Sequence, residues 1–145
     1  MARIVFELDI QAPADWIVDA LDSERGIAGW WTRDVTFAGG AGSTMTLGFP
    51  VAPRPFELRV DEVSEQRVRW SSVGEFPPHW QGTAVAWTLR PSDSNTDATT
   101  VHFTHDGWTS DEGPLPNAAM TWGTLMTSLK RYVETGAGTP LFDDR

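Results

Sequence analysis

Two strand-like runs followed by one long amphipathic helix constrain the fold of this chain more than any other feature. The runs, residues 83–89 and 99–105, are rich in Thr, Val and aromatic residues and are joined by a polar turn. Apolar residues at helical spacing predict a helix from about residue 117 to residue 135. An antiparallel sheet closed by such a helix encloses a space in which a small apolar molecule could sit. The apolar face of the helix carries Trp122, Leu125, Met126, Leu129, Tyr132 and Val133.

The rest of the chain predicts five more strands and two short helices. Residues 3–10 alternate apolar and polar, which is typical of a half-buried strand. The resulting prediction is an α+β fold, in which a seven-stranded curved antiparallel sheet wraps around the long C-terminal helix. Residues 1–145 are expected to form a single domain, with residues 137–145 a mobile tail. The remaining elements are helices at 13–22 and 27–31, both between strands 1 and 2, a turn at 23–26, and strands at 33–37, 44–49, 56–63 and 67–73.

Charge and composition exclude several classes of protein. The chain has 145 residues, no cysteine and a formal net charge of −9, which disfavours binding to nucleic acid. No apolar run approaches the roughly 20 residues that a membrane span requires. The N-terminus carries no secretory signal, so we expect a cytoplasmic location. Without cysteine, and with its histidines separated, the chain predicts no metal site and no cofactor.

Several short motifs occur in a fixed order between residues 3 and 138. They are Ile10-Gln-Ala-Pro-Ala-Asp-Trp16, Gly29-Trp30-Trp31, Trp80-Gln-Gly-Thr83, Trp87-Thr-Leu-Arg-Pro91, His105-Asp-Gly-Trp108 and Trp122-Gly-Thr-Leu125. Their ordered combination resembles the START/Bet v 1-like (SRPBCC) superfamily, and within it the Hsp90 ATPase activator homologue (AHSA1-like) branch. The resemblance implies a helix-grip fold. The superfamily includes lipid carriers, plant ligand binders, polyketide aromatase/cyclases and chaperone regulators, so it does not decide the function.

Eight tryptophans are the main candidates for a binding-site wall. Indoles supply wide apolar area and one directed N–H donor, which suits a ligand cavity. A filled core, in which the rings contact one another, is an equally good interpretation. The candidate ligand-binding residues are Trp70, Trp87, Phe103, His105 and Trp108 on or beside the strands, Trp122, Met126 and Leu129 on the helix, and Trp30, Phe76 and Trp80 at the rim.

Among the histidines, only His105 is a candidate for acid–base chemistry. His102 and His105 are three residues apart in a strand, so their side chains point to opposite faces. With Val101 and Phe103 facing inward, His105 faces inward too and His102 faces water. A core histidine hydrogen-bonded to a backbone carbonyl is the alternative for His105.

The combined prediction is a protein that binds a small hydrophobic or aromatic molecule between the sheet and the C-terminal helix. Two alternatives stay open: a polyketide cyclase/aromatase-type enzyme that uses the same cavity, and a protein-binding module of the chaperone-regulator kind. The sequence does not decide whether the protein is an enzyme, nor whether it is a monomer or a homodimer.

Overall fold

The structure, a computed structural model, describes residues 2–50 and 52–143, and in these it contains three α-helices and one seven-stranded sheet. All neighbouring strands are antiparallel, in the order β1-β7-β6-β5-β4-β3-β2. The predicted α+β helix-grip fold is confirmed. The elements are β1 (Ala2–Ile10), α1 (Ala14–Leu21), α2 (Glu24–Trp30), β2 (Val35–Thr36), β3 (Thr44–Leu47), β4 (Phe56–Val63), β5 (Arg67–Ser72), β6 (Ala84–Pro91), β7 (Thr99–Trp108) and α3 (Pro114–Thr135).

Helix α3 packs its apolar face against the inner face of the sheet. It begins three residues earlier than the apolar pattern predicts, because Pro114 can occupy the first helical turn, where its missing N–H is no loss. It ends at Gly136, whose φ of 75° places it in the left-handed region that favours glycine, as expected of a C-terminal cap. None of the helices within residues 2–50 and 52–143 combines the length and the apolar character needed to cross a bilayer.

The turn predicted at residues 23–26 is wrong, because α2 already begins at Glu24. Ser23 caps this helix: its side-chain oxygen accepts a hydrogen bond from the backbone N–H of Gly26 at 3.0 Å. A serine before a charged first turn is a common helix start, and it outweighs the turn preference of the same residues. Strand β2 is shorter than predicted, with two residues, and β7 is longer, reaching Trp108.

The segment after α3 returns to the body of the molecule. The backbone N–H of Phe142 donates to the carbonyl of Trp31 at 2.9 Å, and the N–H of Arg33 donates to the carbonyl of Phe142 at 3.1 Å. The Ser128 hydroxyl donates to the Thr139 carbonyl at 3.3 Å. The single domain and the mobility of residues 137–145 stay predictions, and residues 144 and 145 lie outside the described residues.

Candidate functional site

Aromatic rings fill the centre of the space between the sheet and α3. Trp122 of the helix meets Phe103 and Trp87 of the sheet at ring-centroid distances of 4.6 and 6.1 Å. Trp87 also contacts Trp70 at 5.6 Å and Trp30 at 5.9 Å. All five side chains are buried. In the centre of the fold, therefore, the filled-core interpretation holds.

An open space remains at one end of this core, with a cavity volume of about 430 Å³. It lies where the N-terminal half of α3 faces the 3₁₀ turn Pro78–Trp80 and the loop between β3 and β4. Five rings that line it contact one another in a closed circuit, which we call the aromatic collar. The successive centroid distances are 6.1 Å from Trp31 to Phe49, 4.7 Å to Phe56, 5.0 Å to Trp80, 6.2 Å to Trp122 and 5.1 Å back to Trp31.

The rest of the lining is apolar or neutral. Three polar residues contribute to the lining: His79, Asn117 and Thr121. Among the described residues that line the cavity there is no Lys, Arg, Asp or Glu. Such a wall suits an apolar molecule with a few uncharged polar atoms. The remaining lining residues are Ala52, Pro114, Ala118, Leu125 and Phe142.

His105 lies one layer behind the collar and is held by a chain of hydrogen bonds. The indole Nε1–H of Trp122 donates to His105 Nδ1 at 3.1 Å, which assigns the ring proton to Nε2. His105 Nε2 then donates to the hydroxyl of Thr83 at 2.9 Å, and that hydroxyl donates to the backbone carbonyl of Trp80 at 2.6 Å. The imidazole thus ties helix α3 to the 3₁₀ turn, and its partners are side chains rather than the backbone carbonyl expected for a core histidine.

Burial, together with the nearby His79, lowers the pKa of His105 to about 3. The ring is therefore neutral at every pH near 7. It is fully buried, with Trp80 at a ring-centroid distance of 4.7 Å, and it does not line the cavity. Partial burial also lowers the pKa of His79, which stacks on Trp108 at the cavity mouth with a centroid distance of 5.8 Å.

Two of the predicted ligand-binding residues, Trp80 and Trp122, line the cavity. Phe76 is half-buried and packs on Phe56 of the collar at 5.6 Å. Contact of the others with a ligand stays a prediction. The predicted residues that lie in the buried core behind the collar are Trp30, Trp70, Trp87, Phe103, His105, Trp108, Met126 and Leu129.

Three collar rings, Trp31, Phe49 and Phe56, were not predicted from the sequence. Trp30 was assigned to the rim in place of Trp31. Trp30 instead points into the core, where its Nε1–H donates to the carbonyl of Ala20 at 2.9 Å. Phe49 and Phe56 flank the proline-rich loop between β3 and β4. The sequence feature that could have identified them is the presence of an aromatic residue at each end of a proline-rich loop.

The indole N–H groups provide a test of this core. Those of Trp30 and Trp122 donate hydrogen bonds, whereas those of Trp70, Trp87 and Trp108 are buried and have no partner among the described residues. Where the indole N–H donates a hydrogen bond, replacing tryptophan by phenylalanine leaves the buried acceptor without a donor. Where the indole N–H has no partner, the same replacement removes a buried donor that was unsatisfied. Trp30→Phe and Trp122→Phe should therefore cost about 1–3 kcal/mol more stability than Trp70→Phe and Trp87→Phe. Urea unfolding followed by circular dichroism measures this difference, and equal losses in all four variants would contradict the hydrogen-bond assignment.

Comparison with known proteins finds similarity among solved structures. No protein-family model matches the chain, and no curated protein matches it significantly. The Aha1 dimer from Colwellia psychrerythraea is 29% identical with a TM-score of 0.84, over 95% of this chain and 100% of that chain. A protein from Mesorhizobium loti is 18% identical with a TM-score of 0.74, over 90% and 95% of the two chains. DynU16, a protein in the dynemicin biosynthetic locus, is 23% identical with a TM-score of 0.70, over 94% of this chain and 48% of its own.

Proposed function

This chain has the AHSA1-like helix-grip fold of the START/Bet v 1-like superfamily, and from that premise we propose that it binds a small hydrophobic or aromatic molecule. The observation that carries the proposal is the cavity of about 430 Å³ bordered by the aromatic collar. Its volume falls within the range of about 300–1,000 Å³ that small-molecule sites usually have. An apolar cavity of this kind offers water few hydrogen bonds, so an apolar ligand gains free energy by filling it.

The position of His105 favours binding over catalysis. An acid–base residue must reach the substrate within hydrogen-bond distance, directly or through one water. His105 lies behind Trp80 and Trp122, and both of its ring nitrogens already have partners. A cyclase or aromatase reaction in this cavity would need another proton donor or acceptor, and the candidate among the described lining residues is His79.

A protein-binding role is less well supported than ligand binding. Such a role needs a contiguous exposed apolar patch. Two of the large exposed apolar side chains, Met120 and Leu141, line the same surface depression beside α3. The others, Val5, Trp16 and Val73, lie on β1, on α1 and directly after β5. The similar protein from Colwellia psychrerythraea is a dimer, which favours a homodimer over a monomer for this chain. Light scattering measures the molar mass in solution and distinguishes the two states.

Intrinsic fluorescence provides a direct test of the proposed function. Trp31, Trp80 and Trp122 line the cavity, so a ligand bound in the cavity should quench or shift their emission. The protein is titrated with a panel of fatty acids, sterols, flavonoids and polycyclic aromatics. We expect saturable binding of at least one class with a dissociation constant near or below about 10 μM.

A cavity-filling variant identifies where the ligand binds. Ala118 lines the cavity from helix α3, so Ala118→Phe should occupy part of the space and weaken binding at least about tenfold. Met120→Phe is the matched control, because Met120 is 76% exposed on the same helix and lies outside the cavity. Equal affinities in the two variants, with both folded by circular dichroism, would place the ligand elsewhere and overturn the proposal.

A further inference from the structure

Among the described residues, the wall of the cavity that holds the proposed ligand carries no positive charge. The chain has 11 Lys and Arg residues, and none of them is among the described lining residues. The only lysine, Lys130, donates instead to Glu134 and to the backbone carbonyl of Asp9, at 2.6 and 2.7 Å. Arg54, in the loop between β3 and β4, lies 3.8 Å from Glu75 and outside the lining. An anionic ligand group in the cavity would therefore meet no counterion among the described lining residues.

Two further features make the cavity unfavourable for an anion. Moving an unpaired carboxylate out of water costs several kcal/mol, even after the surroundings relax. The net charge of −9 adds repulsion at long range, which salt screens.

The polar groups at the cavity mouth suit an uncharged partner. The Asn117 side chain makes no hydrogen bond within the described residues, so its amide can both donate to and accept from a ligand. The hydroxyl of Thr121 donates to the backbone carbonyl of Asn117 at 3.2 Å and keeps lone pairs with which it can accept a hydrogen bond. Partial burial lowers the pKa of His79, so its imidazole is neutral near pH 7 and offers one donor and one acceptor. A hydroxyl or carbonyl group fits these three residues.

We propose that the cavity selects uncharged aromatic molecules that carry a hydroxyl, amine or carbonyl group, and rejects the same skeletons when they carry an anionic group. This selectivity rests on the ligand-binding function proposed above and narrows it. A fatty acid that places its carboxylate inside the cavity incurs the same desolvation cost, so fatty acids are expected to bind less tightly than uncharged aromatic molecules.

A matched pair of fluorescent probes tests the selectivity. Phenylnaphthylamine is uncharged, and anilinonaphthalene sulfonate has the same rings with one added sulfonate. Both gain emission in an apolar site, so each can be titrated near pH 7.5 and the dissociation constant checked by calorimetry. We expect phenylnaphthylamine to bind at least about tenfold more tightly to the wild-type protein.

Two charge variants separate the effect of the wall from the greater hydrophobicity of the neutral probe. Asn117→Lys places an ammonium group at the cavity mouth, and Met120→Lys adds the same charge on the same helix outside the cavity. Both positions are exposed, so both variants should fold. Asn117→Lys should narrow the affinity ratio of the two probes at least about threefold, whereas Met120→Lys should leave the ratio unchanged.

The outcomes distinguish this inference from the function on which it depends. If both probes bind the wild type equally, or if both lysine variants change the ratio to the same extent, the selectivity is overturned while the cavity remains a binding site. An unchanged ratio in Asn117→Lys also overturns it, because the discrimination then does not come from the missing cation. If neither probe binds saturably and Ala118→Phe changes nothing for any ligand of the fluorescence panel, the proposed function itself fails.

Discussion

Replacing Trp122 with alanine is expected to lower the free energy of unfolding by about 4 kcal/mol or more. The ring is buried between the two layers of the fold, where it contacts Phe103, Trp87 and Trp31. Removing a buried aromatic side chain typically costs about 3–5 kcal/mol, because the space that it leaves collapses only partly. The substitution also deprives His105 Nδ1 of its donor, which adds about 1–3 kcal/mol.

Chemical denaturation followed by far-UV circular dichroism measures this loss. Trp16→Ala is the matched control, because Trp16 is 57% exposed on α1 and its removal should cost about 1 kcal/mol or less. A loss below about 2 kcal/mol in Trp122→Ala would mean that the layers can close over the missing ring, against the filled core described above. Because a total stability of about 5–15 kcal/mol is usual, the variant can be largely unfolded and is unsuitable for testing ligand binding.

The second large effect is a loss of stability in mild acid that comes from His105. In the unfolded chain this histidine takes up a proton as the pH falls through 6.5, whereas burial lowers its pKa in the fold to about 3. Between these two values the unfolded state binds more protons than the folded state. The contribution of the neutral His105 to stability is therefore complete above pH 6.5 and is lost as the pH falls towards 3. Over this range the free energy of unfolding falls by up to about 1.4 kcal/mol per pH unit.

The variant His105→Gln isolates this effect, because glutamine does not titrate. It should be less stable than the wild type near pH 7.5, since it disrupts the hydrogen-bond chain from Trp122 to Thr83. Between about pH 6.5 and about pH 5, however, the wild type should lose about 2 kcal/mol more than the variant. Urea unfolding at several pH values gives both profiles.

Two controls establish that the slope belongs to His105. His79→Gln should retain most of the pH dependence of stability, because His79 is exposed, with only part of its ring buried. Carboxyl groups with lowered pKa, such as that of Glu134, lose their stabilising effect only below their unfolded pKa of 4.5, outside the window. Parallel profiles for the wild type and His105→Gln would show that His105 is protonated in the folded protein, and would contradict the buried neutral ring.

Hydrophobic periodicity was sufficient to predict the fold because each element shows one face to water. In β5, the exposed Arg67 and half-buried Arg69 alternate with the buried Val68 and Trp70, as the sequence predicts. The same reasoning placed His105 inside and His102 on the outer face, where His102 Nδ1 lies 3.1 Å from Glu7. Element ends were less predictable, as at α2, because a cap depends on one hydrogen bond rather than on a repeated pattern.

The binding site was predicted less completely than the fold, since it depends on how elements distant in sequence meet. The collar joins Trp31 after α2, Phe49 and Phe56 around one loop, Trp80 in the 3₁₀ turn and Trp122 on α3. Trp30 and Trp31 are adjacent and chemically identical. Trp30 donates to the Ala20 carbonyl within the core, whereas Trp31 lines the cavity, because successive side chains on a helix point about 100° apart.

By itself, the sequence determined the α+β layers, the inward faces of the strands and helix, the burial of His105 and the lack of a cysteine. These follow from the periodicity of each segment and from composition, which are local properties. Only the tertiary structure decided that the tryptophans fill the centre and leave a cavity at one end. Close packing depends on the shapes of side chains brought together from the whole chain, and a one-dimensional pattern does not contain that information.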